Sequence, residues 1–267
     1  MPPLHIVVCM KPVPDPRRWG RLKLDPQTML LRRDEVPAII NPLDRNAIEQ
    51  AATLRAQAGG TITVMTMAPP EAEEQLAEAL AMGCDRAFLL SDAAFAGADS
   101  LATARCLAAA IRKAGPADLV FCGAFSLDGS TSQVGPQVAE LLGVPDLTHV
   151  TALLLDDGRL RVTCRVEDGE VVCDCDLPAV VTFDKEVNVP RLPTMRGIMA
   201  AASAGVTRWG AADLGVAPED VGLAGSPTQM LNVFTAVQGR KGVMIEGSPG
   251  QAAVSLLEKL RAARLLQ

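Results

Sequence analysis

The residues best suited to chemistry in this chain lie between Phe121 and Leu142, where an apolar stretch runs into Asp128-Gly129 and then into Ser-Thr-Ser-Gln before apolar periodicity resumes. Ser130 and Gln133 have the spacing of a capping box, and Val134, Val138, Leu141 and Leu142 form one apolar stripe, so a helix over 130–142 is expected. The first N–H groups of such a helix, Ser130, Thr131, Ser132 and Gln133, have no partners inside it and lie at its positive end, which favours a phosphate. The candidate anion cradle therefore spans Ser126, Leu127, Asp128, Gly129, Ser130 and Thr131, and continues through Ser132, Gln133, Val134, Gly135, Pro136 and Gln137. The plain alternative is an ordinary strand, turn and capped helix, which every α/β protein contains.

A second candidate is Asn41-Pro42-Leu43-Asp44, where Asn41 can cap a helix whose first residue is Pro42. Neither a G-x-x-x-x-G-K-[ST] loop nor a G-x-G-x-x-G fingerprint occurs, which disfavours ATP hydrolysis and the common dinucleotide fold. The two histidines, His5 and His149, sit apart from any serine or cysteine in a nucleophile-type context, so hydrolase and metalloenzyme readings lack parts. The seven cysteines have no C-x-x-C spacing and indicate neither a disulfide framework nor a zinc site. No catalytic residue and no metal site is assigned. Redox work, if any, falls to a bound cofactor.

The elements that position these residues alternate. Strands are expected at 4–10, 61–67, 86–91 and 118–123, and helices at 43–58, 70–82, 99–113 and 130–142. Strict alternation with Val- and Ile-rich strands predicts a doubly wound, mainly parallel α/β sheet of Rossmann-like type. Ligands of such sheets bind at the carboxyl ends of the strands, which brings Cys9 to Lys11, Asn41 to Asp44, Met67 to Pro69 and the Ser126 to Gln137 cradle to one edge. Beyond Pro145, short strands at 147–155, 160–166, 171–176 and 179–183 surround Asp-Gly turns and predict an antiparallel addition over 147–183. Residues 184–200 carry Lys185, Arg191 and Arg196 among prolines and read as an exposed docking loop. The expected organisation is an α/β domain over 1–204 and a C-terminal arm over 205–267, with a helix at 251–265 contacting a partner.

At 267 residues and 49% hydrophobic content, the chain can bury a large core. Its net charge of −6, with scattered basic residues, argues against nucleic acid. No apolar run approaches the roughly 20 residues of a membrane span, and the amino terminus lacks a signal-type block, so a cytoplasmic location is expected.

Several segments resemble, in order, the beta subunit of electron-transfer flavoproteins. They are Val7-Val8-Cys9-Met10-Lys11-Pro12-Val13-Pro14-Asp15, Ile40-Asn41-Pro42-Leu43-Asp44, Ala79 to Ala87, Asp128 to Gly135, Leu177 to Thr182, and Asn188-Val189-Pro190-Arg191 through Met199. The resemblance implies a heterodimer with a flavin-bearing alpha subunit, and nucleotide contacts at Cys9, Asn41 to Asp44, Met67 and Ser126 to Gln137. It also implies docking of an acyl-CoA-type or other dehydrogenase at the loop around Met195, flanked by Arg191 and Arg196. In that family the beta-subunit pocket holds AMP in one type and FAD in the electron-bifurcating type. Asp-Gly-Ser-Thr-Ser-Gln-Val-Gly at 128–135 is closer to the second type, because Gly129 stands where an AMP type carries an acid. FAD, with NADH as electron source and ferredoxin or flavodoxin as low-potential acceptor, is the expectation. AMP in a simple carrier, or a non-redox nucleotide-sensing module, are the alternatives.

Overall fold

A computed structural model describes residues 3–21, 36–229 and 242–266. The chain divides into two compact units, Met1–Leu231 and Asn232–Gln267.

The first unit is built on a nine-stranded sheet. In chain order its strands are β1 (Leu4–Cys9), β4 (Gly60–Met67), β5 (Arg86–Leu90), β6 (Leu119–Gly123), β7 (Asp146–Asp156), β8 (Arg159–Val166), β9 (Gly169–Asp176), β10 (Ala179–Phe183) and β11 (Thr207–Trp209); β2 (Pro12–Pro14) and β3 (Ala38–Ile40) pair separately. The order across the sheet is β11-β5-β4-β1-β6-β10-β7-β8-β9. Every pair from β11 to β7 is parallel, and β7-β8-β9 is an antiparallel meander. This is the expected doubly wound α/β class.

Helices α1 (Pro42–Ala58), α2 (Glu73–Met82), α3 (Ser100–Ala114), α4 (Val134–Leu142) and α5 (Met195–Ala204) cover the faces, followed by the short α6 (Ala211–Leu214). Because helices cover both faces, the central strands are apolar at nearly every position: Val7, Val8, Leu119, Phe121, Val180 and Phe183 are all buried. One core lies on the face of α1 and α2, where Phe121 meets Phe183 edge to face at 4.8 Å. The other lies on the face of α3 and α4, around Val7, Val120, Cys122 and Val138. The chain winds outward from β1 through β4 to β5, then returns to β6 on the other side of β1. In a doubly wound sheet such a reversal is where a ligand crevice is expected, here at the carboxyl ends of β1 and β6.

Four expectations are corrected. Residues 179–183 do not extend the antiparallel addition: β10 inserts between β6 and β7 and is parallel to both, as its burial at all five positions requires of a central strand. The helix expected from Ser130 starts at Val134, because Ser130 and Ser132 have φ of 50° and 54° and cannot belong to a right-handed helix. The boundary expected at 204/205 falls at 231/232 instead. Thr207–Trp209 adds a strand to β5, Trp209 stacks on Phe88 at 4.2 Å, and buried Ser226 accepts the N–H of Asp99 at 2.8 Å. Asp99 also accepts the N–H of Thr228. The polar run 184–200 likewise ends in a helix, α5, capped by Thr194, whose Oγ1 accepts the N–H of Gly197 at 3.0 Å.

In the second unit, α7 (Pro249–Ala262) starts at a capping box formed by Ser248 and Gln251. None of its residues is buried, and Val254, Leu256 and Leu257 are exposed. The expected arm also includes residues 230–241, which lie outside the described residues.

Candidate functional site

The crevice is walled by the loop from β6 to α4, held by polar side chains from elsewhere in the chain. Asn41 starts α1 without a side-chain cap, contrary to expectation. Its amide reaches across instead: Nδ2 donates to the Phe125 carbonyl at 2.9 Å, and Oδ1 accepts the Leu127 N–H at 3.3 Å. Asp44, in the first turn of α1, accepts the Lys11 N–H at 2.7 Å and the Gly123 N–H at 2.8 Å, tying the exits of β1 and β6 together. This close approach explains Gly123, since a Cβ there would lie 2.6 Å from both Asp44 Oδ1 and Leu43 Cβ.

Lys11 is the cation of the site. Its Nζ donates to Asp128 Oδ1 at 2.7 Å and to Ser126 Oγ at 3.2 Å. The Asp128 side chain is only 2% exposed, whereas that of Lys11 is 39% exposed. Ser130 closes a turn, its N–H donating to the Ser126 carbonyl at 2.8 Å. Ser132 is left-handed and Gln133 right-handed (φ −103°), a sequence of hands that turns successive N–H groups to one side as a backbone nest. Among the described residues, the N–H groups from Thr131 to Gly135 have no backbone or side-chain acceptor. Gln133 is fixed from outside the loop, its Oε1 accepting from Ser100 Oγ at 2.7 Å.

The expected site residues thus separate by role. Ser126 to Gln133 form the loop itself, and Pro42 and Met67 are half-buried at its rim. Asn41, Leu43 and Asp44 are buried scaffold. Cys9 packs into the core beside Cys122, so its side chain is not offered to a ligand. In α4, buried Gly135 lets the helix approach β10, where a Cβ would lie 2.4 Å from Thr182 Cγ2. Gln137 Oε1, in the same turn, and Thr66 Oγ1, near the end of β4, are buried without a hydrogen-bond partner. Such atoms leave hydrogen-bonding capacity for a polar ligand.

Burial sets the protonation of this floor. It pushes the Cys9 thiol up to about 12, with the Asp44 carboxylate adding to the effect, and raises Cys122 well above its ordinary value. It also pushes Asp44 up to about 6, outweighing the hydrogen bonds from Lys11 and Gly123. Both thiols are therefore held in the protonated, unreactive form.

Among the docking residues, Arg191 is already committed. Its Nε and Nη2 donate to Glu49 at 2.7 and 2.8 Å, and its own N–H donates to Glu49 Oε2 at 3.0 Å. Burial works to raise Glu49, but the bonds from Arg191 prevail and hold its carboxyl below the usual value. Asn188 adds bonds to Asn46 and Gln50, so α1 carries this whole segment. Met195 and Arg196 point outward from the start of α5, with Met195 75% exposed and Val189, Leu192 and Met199 exposed around it.

The sequence places Lys11 at the sheet edge without giving it a role, and Gly123 and the contact between Glu49 and Arg191 were missed. A lysine directly after a strand and a glycine at a strand's carboxyl end are the available signals for the first two. Glu49 and Arg191 are 142 positions apart, and nothing local marks them.

The doubly wound, mainly parallel sheet defines an α/β architecture whose strand order reverses between β1 and β6. The electron transfer flavoprotein domain matches residues 28–214. The electron transfer flavoprotein subunit beta of Thermoanaerobacterium thermosaccharolyticum is 42% identical over 264 residues, covering 98% of this chain and 100% of that one. The caffeyl-CoA reductase-Etf complex subunit CarD of Acetobacterium woodii is 42% identical, with 98% and 100% covered. The subunit beta of Clostridium acetobutylicum is 42% identical, with 97% and 98% covered. The chain therefore belongs to the electron transfer flavoprotein family, on its beta-subunit side, as its motifs imply. That membership implies an alpha-subunit partner and work with dehydrogenase complexes. Among the described residues, no helix is long and apolar enough to cross a membrane.

Proposed function

We propose that this chain holds FAD in the crevice between β1 and β6 and passes electrons, from NADH, to an alpha-subunit flavin and a low-potential ferredoxin or flavodoxin. The observation that carries this reading is the nest from Thr131 to Gly135, with unpaired N–H groups beside the ammonium of Lys11. A diphosphate gains more than a monophosphate from such a row of donors. Gly129 supports the same choice, because it adds no carboxylate beside Lys11 and leaves the backbone open to close approach.

The bound flavin supplies hydride and single-electron chemistry. The chain's own residues bind and orient: Asn41 and Asp44 fix the loop, Lys11 and the nest hold phosphate, and Pro42 and Met67 line the rim. Protonated Cys9 and Cys122 keep the floor chemically quiet.

An acyl-CoA-type dehydrogenase docks at Met195 and the apolar residues around it, and the arm with α7 meets the alpha subunit. The Acetobacterium relative, described as part of a caffeyl-CoA reductase complex, supports this class of partner. All seven cysteines are free, in keeping with a reducing cytoplasm.

The test is the absorbance spectrum and released-nucleotide content of the complex purified with its alpha subunit. Two FAD per complex are expected. One FAD with one AMP would replace the proposal by the simple-carrier reading, and no nucleotide beyond the alpha-subunit flavin would remove it.

A further inference from the structure

His149 is held by more constraints than a surface histidine needs. The pairing of β7 with β10 passes from Leu147 opposite Val181 to Val150 opposite Phe183, so Thr148 and His149 together face the single residue Thr182. This is a β-bulge, a device that re-aims a side chain, and a second irregularity follows between Val150 and Ala152. His149 takes a left-handed φ of 52°, uncommon for a residue other than glycine. Its N–H donates to Thr182 Oγ1 at 3.1 Å, and its Nδ1 lies 3.2 Å from Asp184 Oδ1.

Asp184 is 1% exposed and also accepts from Arg165 at 2.5 Å, while Glu186 pairs with both Arg165 and Lys185 nearby. With Nδ1 donating to Asp184 Oδ1, the matching tautomer carries its acceptor lone pair on Nε2. The side chain is 37% exposed.

The location matters as much as the geometry. Thr182 touches Gly135 in the first turn of α4, and Asp184, two residues on, continues that face of β10. The His149–Asp184 pair therefore lies on the α4 side of the sheet at its carboxyl edge, the edge that carries the nest. β7 is two strands beyond β6, a displacement of about 10 Å.

We infer that His149 is a second contact of the crevice, its Nε2 accepting a hydrogen bond from a hydroxyl of a ligand that runs past the nest toward β7. This rests on the reading that a nucleotide occupies the nest. A mononucleotide anchored by its phosphate at the nest carries no polyol beyond that phosphate to span the about 10 Å to β7. A dinucleotide such as FAD continues through a second phosphate into a polyol, whose hydroxyls are the donors Nε2 requires. His149 is thus a specificity residue for dinucleotide over mononucleotide.

The experiment is calorimetric titration of the full chain, in complex with its flavin-loaded alpha subunit and stripped of other nucleotide, with FAD and with AMP. His149→Asn suits the left-handed backbone but falls short of the reach of Nε2, and His149→Gln restores an acceptor at about that reach. The expected result is an FAD Kd raised about tenfold in the Asn variant, an AMP Kd changed by less than about twofold, and partial recovery with Gln. Unchanged FAD affinity, or equal weakening of FAD and AMP, would overturn the contact, the latter marking His149 as a support of the crevice wall. A wild-type complex that bound neither nucleotide would remove the nest reading and this inference together.

Discussion

One helix carries two regions of opposite character. At its first turn, α1 supports the nest through Asn41 and Asp44, whose polar atoms are buried and spent on backbone groups of the crevice. One to two turns further on, it supports the segment before α5 through Asn46, Glu49 and Gln50. That segment turns its apolar side chains outward rather than inward. The crevice is shaped by internal bonds that leave backbone N–H groups unpaired, the feature on which the proposed nucleotide site rests. The α5 region is pinned from below and leaves hydrophobic surface exposed, the feature on which the proposed docking site rests. Rigid attachment serves both, and the two proposals differ in the kind of group left unpaired.

The comparison breaks most severely at Asp44. Asp44→Asn turns one acceptor into a donor facing a backbone N–H, and a loss of about 3 kcal/mol is expected in urea unfolding, together with loss of bound nucleotide. Because folding raises this carboxyl from 3.8 to about 6, the native state binds its proton more tightly than the unfolded state. Its contribution to stability is fully present below the unfolded value and is lost as pH rises through about 6. The variant's stability curve should be flatter than wild type across that window; parallel curves would refute the assignment.

Gly129→Asp tests the nest alone. The new Cβ would lie 3.6 Å from Lys11 Nζ, so the added carboxylate competes with phosphate for that ammonium. Nucleotide affinity should fall about tenfold, close to 1.4 kcal/mol, while unfolding of the ligand-free protein changes little. Retention of nucleotide through dialysis equal to wild type would count against the site.

Glu49→Gln addresses the other end of α1. Removing the charge should cost about 1 kcal/mol at neutral pH by weakening the bonds to Arg191, and should slow electron delivery to the partner without altering nucleotide content. Glu49 is held below its ordinary value, so its contribution is present above that value and fades as pH falls through the lowered one. Wild type and variant should therefore converge in acid. A constant gap at all pH values would assign the effect to packing.

Met195→Ala is the mildest change, with an expected cost of about 1 kcal/mol in partner-dependent turnover and none in flavin reduction. Equal losses in both assays would mean that residue 195 supports the pocket. Arg196, rather than the committed Arg191, is the side chain expected to give docking its salt dependence.

Much of this arrangement was legible in the sequence, because alternation of Val-rich strands with amphipathic helices is a local signal. The loop proposed as the nucleotide site was singled out through Asp128-Gly129 and the apolar stripe after it. Its construction was not, since a serine in a left-handed conformation looks like any other serine and the expected cap at Ser130 is absent. The place of β10 was hidden for another reason. A five-residue apolar run after two Asp-Gly turns fits a meander as well as a central strand, and only the partner strands decide. Trp209 and Ser226 read as part of an arm because their partners, Phe88 and Asp99, lie more than a hundred residues earlier.

The thiols under the crevice also bear on durability. Thiolates, not thiols, attack peroxides and disulfides, and the burial that pushes Cys9 up to about 12 and raises Cys122 well above its ordinary value keeps both protonated and out of reach. Sulfenic acid formation should therefore spare these two positions and begin at the partly exposed Cys173 and Cys175, on the strand at the far edge of the sheet. Oxidative damage would thus accumulate first at the edge most distant in strand order from β1, leaving the crevice floor intact.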